Sequence, residues 1–407
     1  MAFGFSEYWV VMSNLAAPLD GIKVIDLTSV LYGPYATLML ADFGADVIKI
    51  EAPEGDPTRQ IGPARNANMS AAFLGVNRNK RSVVLDLKQT EARDALWRLI
   101  DNADVFVHNI RPQKIAKLGF SQQQVMARND RIVYGALHGY FQSGPYGGRP
   151  AYDDVIQGES GVSASFLLRD SEPAYAPTVL ADKSAGLIAA NAITAALFQR
   201  LRQNRGVYVE VGMFESMVAY TLLEHQFGTA FSPPESAAGY SRVISPNRKP
   251  YRTLDGHLCM LAYTDKQWQA FWALSDGVRY AEDERFTTMS ARTRHVDALY
   301  EIAGQLIATR TTSEWLEKLS AAEIPSGPIN TFEDLSAHEH LNAVNFYRPF
   351  EHPSEGSLNI PDTGIKLDER SLPIRLHQPR LGEHTAEVLT EYGFSAAEIK
   401  ALTDKPS

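Results

Sequence analysis

The chain is almost without cysteine. Its 407 residues hold one, Cys259, so no intrachain disulfide can form and no thiolate cluster can build a zinc or iron–sulfur site. Its expected place is in the core. Positive charge is also in deficit: 39 Lys and Arg face 48 Asp and Glu, for a net charge of -9. With no long basic run, a nucleic-acid surface is not expected. Long apolar runs are missing too. Tyr8-Trp9-Val10-Val11-Met12 is too short to span a membrane, and no lysine or arginine precedes it as in a signal peptide. Residues 1–17 read as a disordered leader, Met12 stands as a second candidate start, and the expected location is the cytoplasm. No glycine fingerprint GxGxxG follows the first apolar run, and there is no Walker loop and no zinc-ligand spacing. Dehydrogenase and P-loop chemistry are therefore disfavoured, and no metal site is expected.

What is present is ordinary globular material, 44% hydrophobic and 21% charged. The length calls for two domains. Short apolar runs at 22–27, 44–51, 82–86, 105–109 and 131–136 read as strands, and 35–43 and 91–102 carry helical spacing. This alternation predicts an α/β domain with a parallel, Rossmann-like sheet covered by helices. Ligands of such sheets bind beyond the carboxyl ends of the strands. Those ends carry Val30 to Pro34, Glu51 to Asp56, Asn109 to Pro112, and His138 to Tyr140.

After Gln226 the texture changes. Proline-rich loops at 232–234 and 245–250 lead to a strand-like run at 258–262 and helical patterns at 265–274 and 296–307. We expect a large domain over 18–225, a smaller α+β domain over 226–330, a rigid extended linker at 324–330, and a segment 331–407 that returns to the large domain.

One acid stands out. Asp182 ends the apolar run Val179-Leu180-Ala181, and Ser184-Ala185-Gly186 follow it before a helical stretch at 187–201. An aspartate before a helix is more often an N-cap than a nucleophile. Small neighbours, however, let a bulky electrophile approach a carboxylate.

The ordered set Pro18-Leu19-Asp20-Gly21-Ile22-Lys23, Gly44-Ala45-Asp46-Val47-Ile48-Lys49-Ile50-Glu51, Asn79-Lys80-Arg81-Ser82, Leu85-Asp86-Leu87-Lys88, Gly206-Val207-Tyr208-Val209-Glu210-Val211 and Pro379-Arg380-Leu381-Gly382-Glu383-His384-Thr385 resembles the family III CoA-transferases. The family includes formyl-CoA:oxalate and carnitine CoA-transferases, and acyl-CoA racemases are its sisters. The resemblance implies a Rossmann-like large domain formed by both chain ends, a smaller central domain, and a homodimer of interlocked rings. It implies that Asp182 is the nucleophile of a transfer of CoA between carboxylic acids, with coenzyme A as substrate and product and no tightly bound cofactor. It places Leu31, Tyr32 and Tyr152 at the substrate. It places Val30, Leu85, Lys88, Asn109, Ile110, Arg111, Lys117 and Leu118 at CoA.

Some positions depart from the formyl-CoA branch. Ala52 and Pro150 stand where it has cations, which makes Arg59 and Arg111 the replacement candidates. Leu31 stands where it has glutamine, and residues 245–251 lack its glycine run. Arg242, Arg248 and Lys249 are candidate anchors for a distal carboxylate. The racemases carry a histidine where Tyr152 stands, and a tyrosine with an ordinary pKa of about 10 is a poor proton shuttle at neutral pH. His138, at another strand end, reads as a loop histidine with satisfied hydrogen bonds. A CoA-transferase is thus favoured over an α-methylacyl-CoA racemase, and both over a non-catalytic CoA-binding protein.

Overall fold

The computed structural model describes residues 17–403. The expected leader, 1–17, lies outside the described residues except for its last position. The chain divides into two units. The first takes the residues up to 160, 177–218 and 346 onward; the second takes 161–176 and 219–345.

In the first unit six strands form one parallel sheet: β1 (Lys23–Leu27), β2 (Asp46–Glu51), β3 (Lys80–Val84), β4 (Val105–His108), β5 (Val133–His138) and β6 (Val207–Gly212). Their order is β3-β2-β1-β4-β5-β6, the doubly wound order of dinucleotide-binding sheets. The order reverses between β1 and β4, which pair with Ile25 opposite Phe106. Strands covered on both faces carry continuous apolar runs, which is why β1, β2, β4 and β5 were legible. β6 closes the sheet and was anticipated only as a family feature.

Alternate strand residues face opposite ways. Ile25, Ile48, Ile50, Val83 and Phe106 turn to a core completed by helix Thr90–Ile100 and by Ile115, Phe120 and Val125. The other face carries helices α1 (Tyr32–Asp42) and α2 (Leu180–Gln203). Ten of the eleven α1 residues are buried. The buried stripe of α2 runs Ala181, Ala185, Ala189, Ile193, Ala196, spaced for one helical face. Gly186 lets α2 approach α1, since a Cβ there would lie 3.0 Å from the Tyr32 carbonyl oxygen. The helix thus begins seven residues before the expected 187, and it takes in the small residues that precede that position.

The C-terminal segment from residue 346 belongs to this unit. Val388 and Leu389 of helix Thr385–Glu391 sit fully buried among the β2–β4 side chains. The Arg81 guanidinium pairs with Asp46 at 2.6 Å and with Glu391 at 2.8 Å. A further helix, Ala396–Thr403, was not anticipated.

The second unit has a core of Trp268, Phe271, Trp272, Phe286 and Trp315 under an antiparallel sheet of Tyr251–Arg252, His257–Met260 and Ser326–Pro328. Two expectations change here. Residues 324–330, expected as a rigid extended linker, contain a strand instead: Ser326–Pro328 pairs with His257–Met260 at the sheet edge, where proline is tolerated. Cys259 is exposed rather than core, because strand alternation turns Leu258 and Met260 inward and Cys259 out. The unit also takes in 161–176 and runs on to 345, past the expected limits of 226 and 330.

If the returning segment is part of the large core, Leu389→Ala will lower the unfolding free energy by about 2–5 kcal/mol. Urea denaturation checks this. An unchanged midpoint would mean that the segment only decorates the surface.

Candidate active site

The loop leaving β1 is held by side chains on every side. Thr28 donates its backbone N–H and hydroxyl to Asp26 Oδ1, at 2.8 and 2.6 Å. Ser29 N–H donates to Asn109 Oδ1 at 3.0 Å, while Asn109 Nδ2 donates to the Ser29 carbonyl at 2.8 Å. Lys49 Nζ donates to the Thr28 carbonyl and to Asp56 Oδ2, both at 2.8 Å. Asp56 Oδ1 accepts Val30 N–H at 3.2 Å. Burial would raise the Asp56 carboxyl, but the Lys49 ammonium and the Thr58 donors outweigh it and hold the pKa below the usual carboxylate range. Val30 sits at φ +68°, a left-handed conformation that is strained for a β-branched residue.

Two cavities open at this loop, and Ser29 belongs to the walls of both. The first, of about 290 Å³, is lined by Asp182 together with Val30, Tyr32, Asn109, Arg111 and Tyr152. The second, of about 360 Å³, is lined by Leu85, Lys88, Ile110 and Leu118 along with the Lys49–Asp56 pair. Two residues expected at the ligands line neither cavity: Leu31 occupies the N-cap position of α1, and Lys117 is exposed on helix Pro112–Leu118.

Asp182 is the third residue of α2, and the N-cap position belongs to Val179. A capping role therefore does not account for it. Its backbone N–H donates to Asp153 Oδ1 at 3.0 Å, and Asp153 Oδ2 accepts from Gln157 Nε2 at 2.6 Å. The residue is 9% exposed. A helix N-terminus favours a carboxylate, yet burial, and after it the charges of Asp153 and Asp154, push the pKa up to about 7.

Several polar groups prove to be already engaged. Tyr32 is buried and donates its hydroxyl to the Val211 carbonyl at 3.0 Å. Burial, then Asp182 and Glu215, raise its pKa. The Asn109 amide is spent at both ends on Ser29 and acts as a clamp. Arg59, a replacement candidate, is not available: its guanidinium meets Glu51 with two contacts of 2.7 Å and donates to the Pro379 carbonyl at 3.2 Å. Tyr152 is 69% exposed at the head of helix Asp153–Glu159. Arg242, Arg248 and Lys249 belong to the second unit, where Arg242 donates to the Tyr300 hydroxyl at 3.3 Å.

Lys114 and Arg149 also line the first cavity and were not singled out from the sequence, while His138, read there as a satisfied loop histidine, lies on the same wall. Arg149 lies 4.2 Å from the Tyr146 ring centre, a cation–π contact. His138 is the last residue of β5, is 7% exposed, and has neither ring nitrogen hydrogen-bonded. Burial lowers its pKa, and Glu210 offsets part of that shift. Its place at the carboxyl end of a strand was the available signal.

The arrangement is a buried, unusually basic carboxylate in a cavity with Arg111, Lys114 and Arg149 on its wall. The sequence profile of CoA-transferase family III matches residues 19–385. A succinate–glutarate CoA-transferase of Agrobacterium fabrum is 34% identical over 397 residues, 93% of this chain and 97% of its own length. An acetyl-CoA:oxalate CoA-transferase of Acetobacter aceti is 31% identical over 94% of this chain and 97% of its own. A CaiB/BaiF family protein of Brucella suis has a solved structure that superposes with a TM-score of 0.77 at 30% identity, over 93% of this chain and all of its own. The chain belongs to CoA-transferase family III and is a CoA-transferase. Among the described residues no helix is long and apolar enough to cross a membrane, and no cluster of His, Cys, Asp and Glu fits a metal ion.

The raised Asp182 pKa gives stability a pH dependence of known sign. Below about pH 4 the carboxyl is protonated in folded and unfolded chain alike. As pH rises from there to about 7 the unfolded chain loses that proton first, and stability falls. Asp182→Asn removes this loss. Its advantage over wild type in urea midpoint should therefore grow from pH 4 to pH 7 and then level off. A gap independent of pH would contradict the burial of an ionisable carboxyl here.

Proposed function

We propose that the protein moves CoA from an acyl-CoA to a carboxylic acid through covalent intermediates on Asp182. The carboxylate oxygen attacks the thioester carbonyl. The C–S bond breaks, and an aspartyl–acyl anhydride and CoA thiolate result. The thiolate attacks the aspartyl carbonyl, releasing the donor acid as its carboxylate and leaving an aspartyl–CoA thioester. The acceptor carboxylate attacks this thioester and expels the thiolate, which then attacks the acceptor carbonyl of the second anhydride. The new acyl-CoA leaves and the Asp182 carboxylate is restored. Each step exchanges acyl species of similar reactivity.

The observation that carries this reading is the placement of Asp182: buried, raised to about 7, and on the wall of the cavity that adjoins the second one at Ser29. The second cavity fits CoA. Leu85, Ile110 and Leu118 offer an apolar wall for adenine, and exposed Lys88 offers a cation for phosphate. The first cavity fits the acyl group and the acid. Arg111, Lys114 and Arg149 on its wall suit a second carboxylate, as in the acids named for the succinate–glutarate relative. We also propose the interlocked homodimer. Phe198 and Leu201 of α2, 62% and 72% exposed, are apolar surface that a second copy would cover.

Asp182→Ala should leave a folded protein whose CoA transfer falls on the order of a thousandfold or more. In the wild type kcat/KM should rise with pH and level off above about 7, since the carboxylate is the attacking form. Acyl-CoA without acceptor should leave an adduct that hydroxylamine converts to a hydroxamate, and peptide mass mapping should find it on Asp182. An unmodified Asp182 peptide during full turnover would exclude covalent catalysis.

Lys88→Ala should weaken CoA binding by about 1–3 kcal/mol, as for a lost charge-assisted hydrogen bond. Titration calorimetry reads this directly, and an unchanged affinity removes Lys88 from the CoA site.

A further inference from the structure

His138 is a buried polar group, 7% exposed, whose ring nitrogens make no hydrogen bond within 3.5 Å. The nearest carboxylate oxygen, Glu210 Oε1, lies 3.6 Å from Nδ1, too far for a hydrogen bond. That oxygen already accepts the Gln142 N–H at 2.8 Å.

The neighbouring histidine shows what a structural role looks like. The His108 ring centre lies 5.8 Å from that of His138. Tyr134 donates its hydroxyl proton to the Phe120 carbonyl at 2.8 Å, so His108 Nε2–H must be the donor in its 2.8 Å contact with Tyr134. His108 Nδ1 accepts the Ile110 N–H at 3.2 Å. Both nitrogens of His108 are used, and neither of His138.

Buried polar groups in folded proteins are hydrogen-bonded, and each exception calls for a reason. Several buried side chains have such an atom, and among those of the described residues His138 is the one that lines the same cavity as Asp182. A neutral imidazole presents one donor and one acceptor, and an alcohol presents the same pair. We propose that His138 determines specificity, making a hydrogen bond to a hydroxyl on the chain of the acid or acyl group seated beside Asp182. The proposal rests on the reading of this cavity as the acyl and acid site.

The test compares matched acceptors that differ by one hydroxyl: malate against succinate, 3-hydroxyglutarate against glutarate, lactate against propionate. CoA transfer is measured for wild type, His138→Leu and His138→Gln. Wild type should favour the hydroxylated member of at least one pair by about tenfold or more in kcat/KM. His138→Leu should bring that ratio close to one. His138→Gln, which keeps a donor and an acceptor, should restore part of it. Transfer by wild type with no hydroxyl preference in any pair overturns the role of His138 alone, as does a preference that survives in His138→Leu. Should the leucine variant fail to fold, the wild-type ratio and the glutamine variant decide the matter. Absence of CoA transfer to every acid overturns the reading of the cavity and the role of His138 with it.

Discussion

The buried pair Lys49–Asp56 is the contact on which the site depends. Its side chains are 0% and 1% exposed and meet at 2.8 Å. A pair of this kind adds little net stability over well-packed apolar residues, but losing one partner strands the other charge. What it gives here is position. Lys49 holds the Thr28 carbonyl and Asp56 holds the Val30 N–H, one on each side of Ser29, whose backbone Asn109 clamps at both ends. Val30 at φ +68° carries strain of about 1–3 kcal/mol, and such strain persists only where the surroundings over-determine it. The hold continues outward. Asp56 N–H donates to Glu51 Oε2 at 3.0 Å, Glu51 pairs with Arg59, and Arg59 reaches the Pro379 carbonyl of the returning C-terminal segment. A line of buried charges thus ties the wall shared by the two cavities to the far end of the chain.

Asp56 and Asp182 show how environment shifts one residue type in opposite directions. Both are buried aspartates, 4% and 9% exposed. Asp56 has an ammonium in contact and stays ionised below the usual carboxylate range. Asp182 has burial and two neighbouring acids instead, and rises to about 7. In the mechanism we propose, that shift suits a nucleophile: a more basic carboxylate attacks a thioester more readily once ionised. Asp153 serves both sides of this balance. Its Oδ1 fixes the Asp182 backbone at 3.0 Å, and its charge helps raise the Asp182 pKa.

Much of the site was legible because strand ends were legible. The runs ending at Leu27, Glu51, His108 and His138 are mostly apolar and buried on both faces, and a parallel sheet gathers the loops after them at one edge. That logic alone brings Val30, Asn109, Arg111 and His138 to one cavity. It could not say which polar groups are already occupied. Asn109 holds the Ser29 backbone at both ends, Arg59 is bound to Glu51, and neither ring nitrogen of His138 has a hydrogen-bond partner within 3.5 Å. Hydrogen-bond partners 80 or 320 residues apart, as in Ser29–Asn109 and Arg59–Pro379, leave no trace in local spacing.

The sequence by itself determined the class of fold, the parallel sheet with its ligand edge, the family, and the prominence of Asp182. Apolar periodicity and motif order are local properties, and they survive without any knowledge of contacts. Tertiary structure decided that α2 begins at Leu180, because Gly186 and the alanine stripe press on α1. It decided that Ser326–Pro328 is a strand and Cys259 is exposed, because pairing and alternation are set by neighbours. It also decided the protonation of Asp182 and the isolation of His138. Both are sums over surrounding charges, dipoles and excluded water, and such sums exist only once the chain has folded.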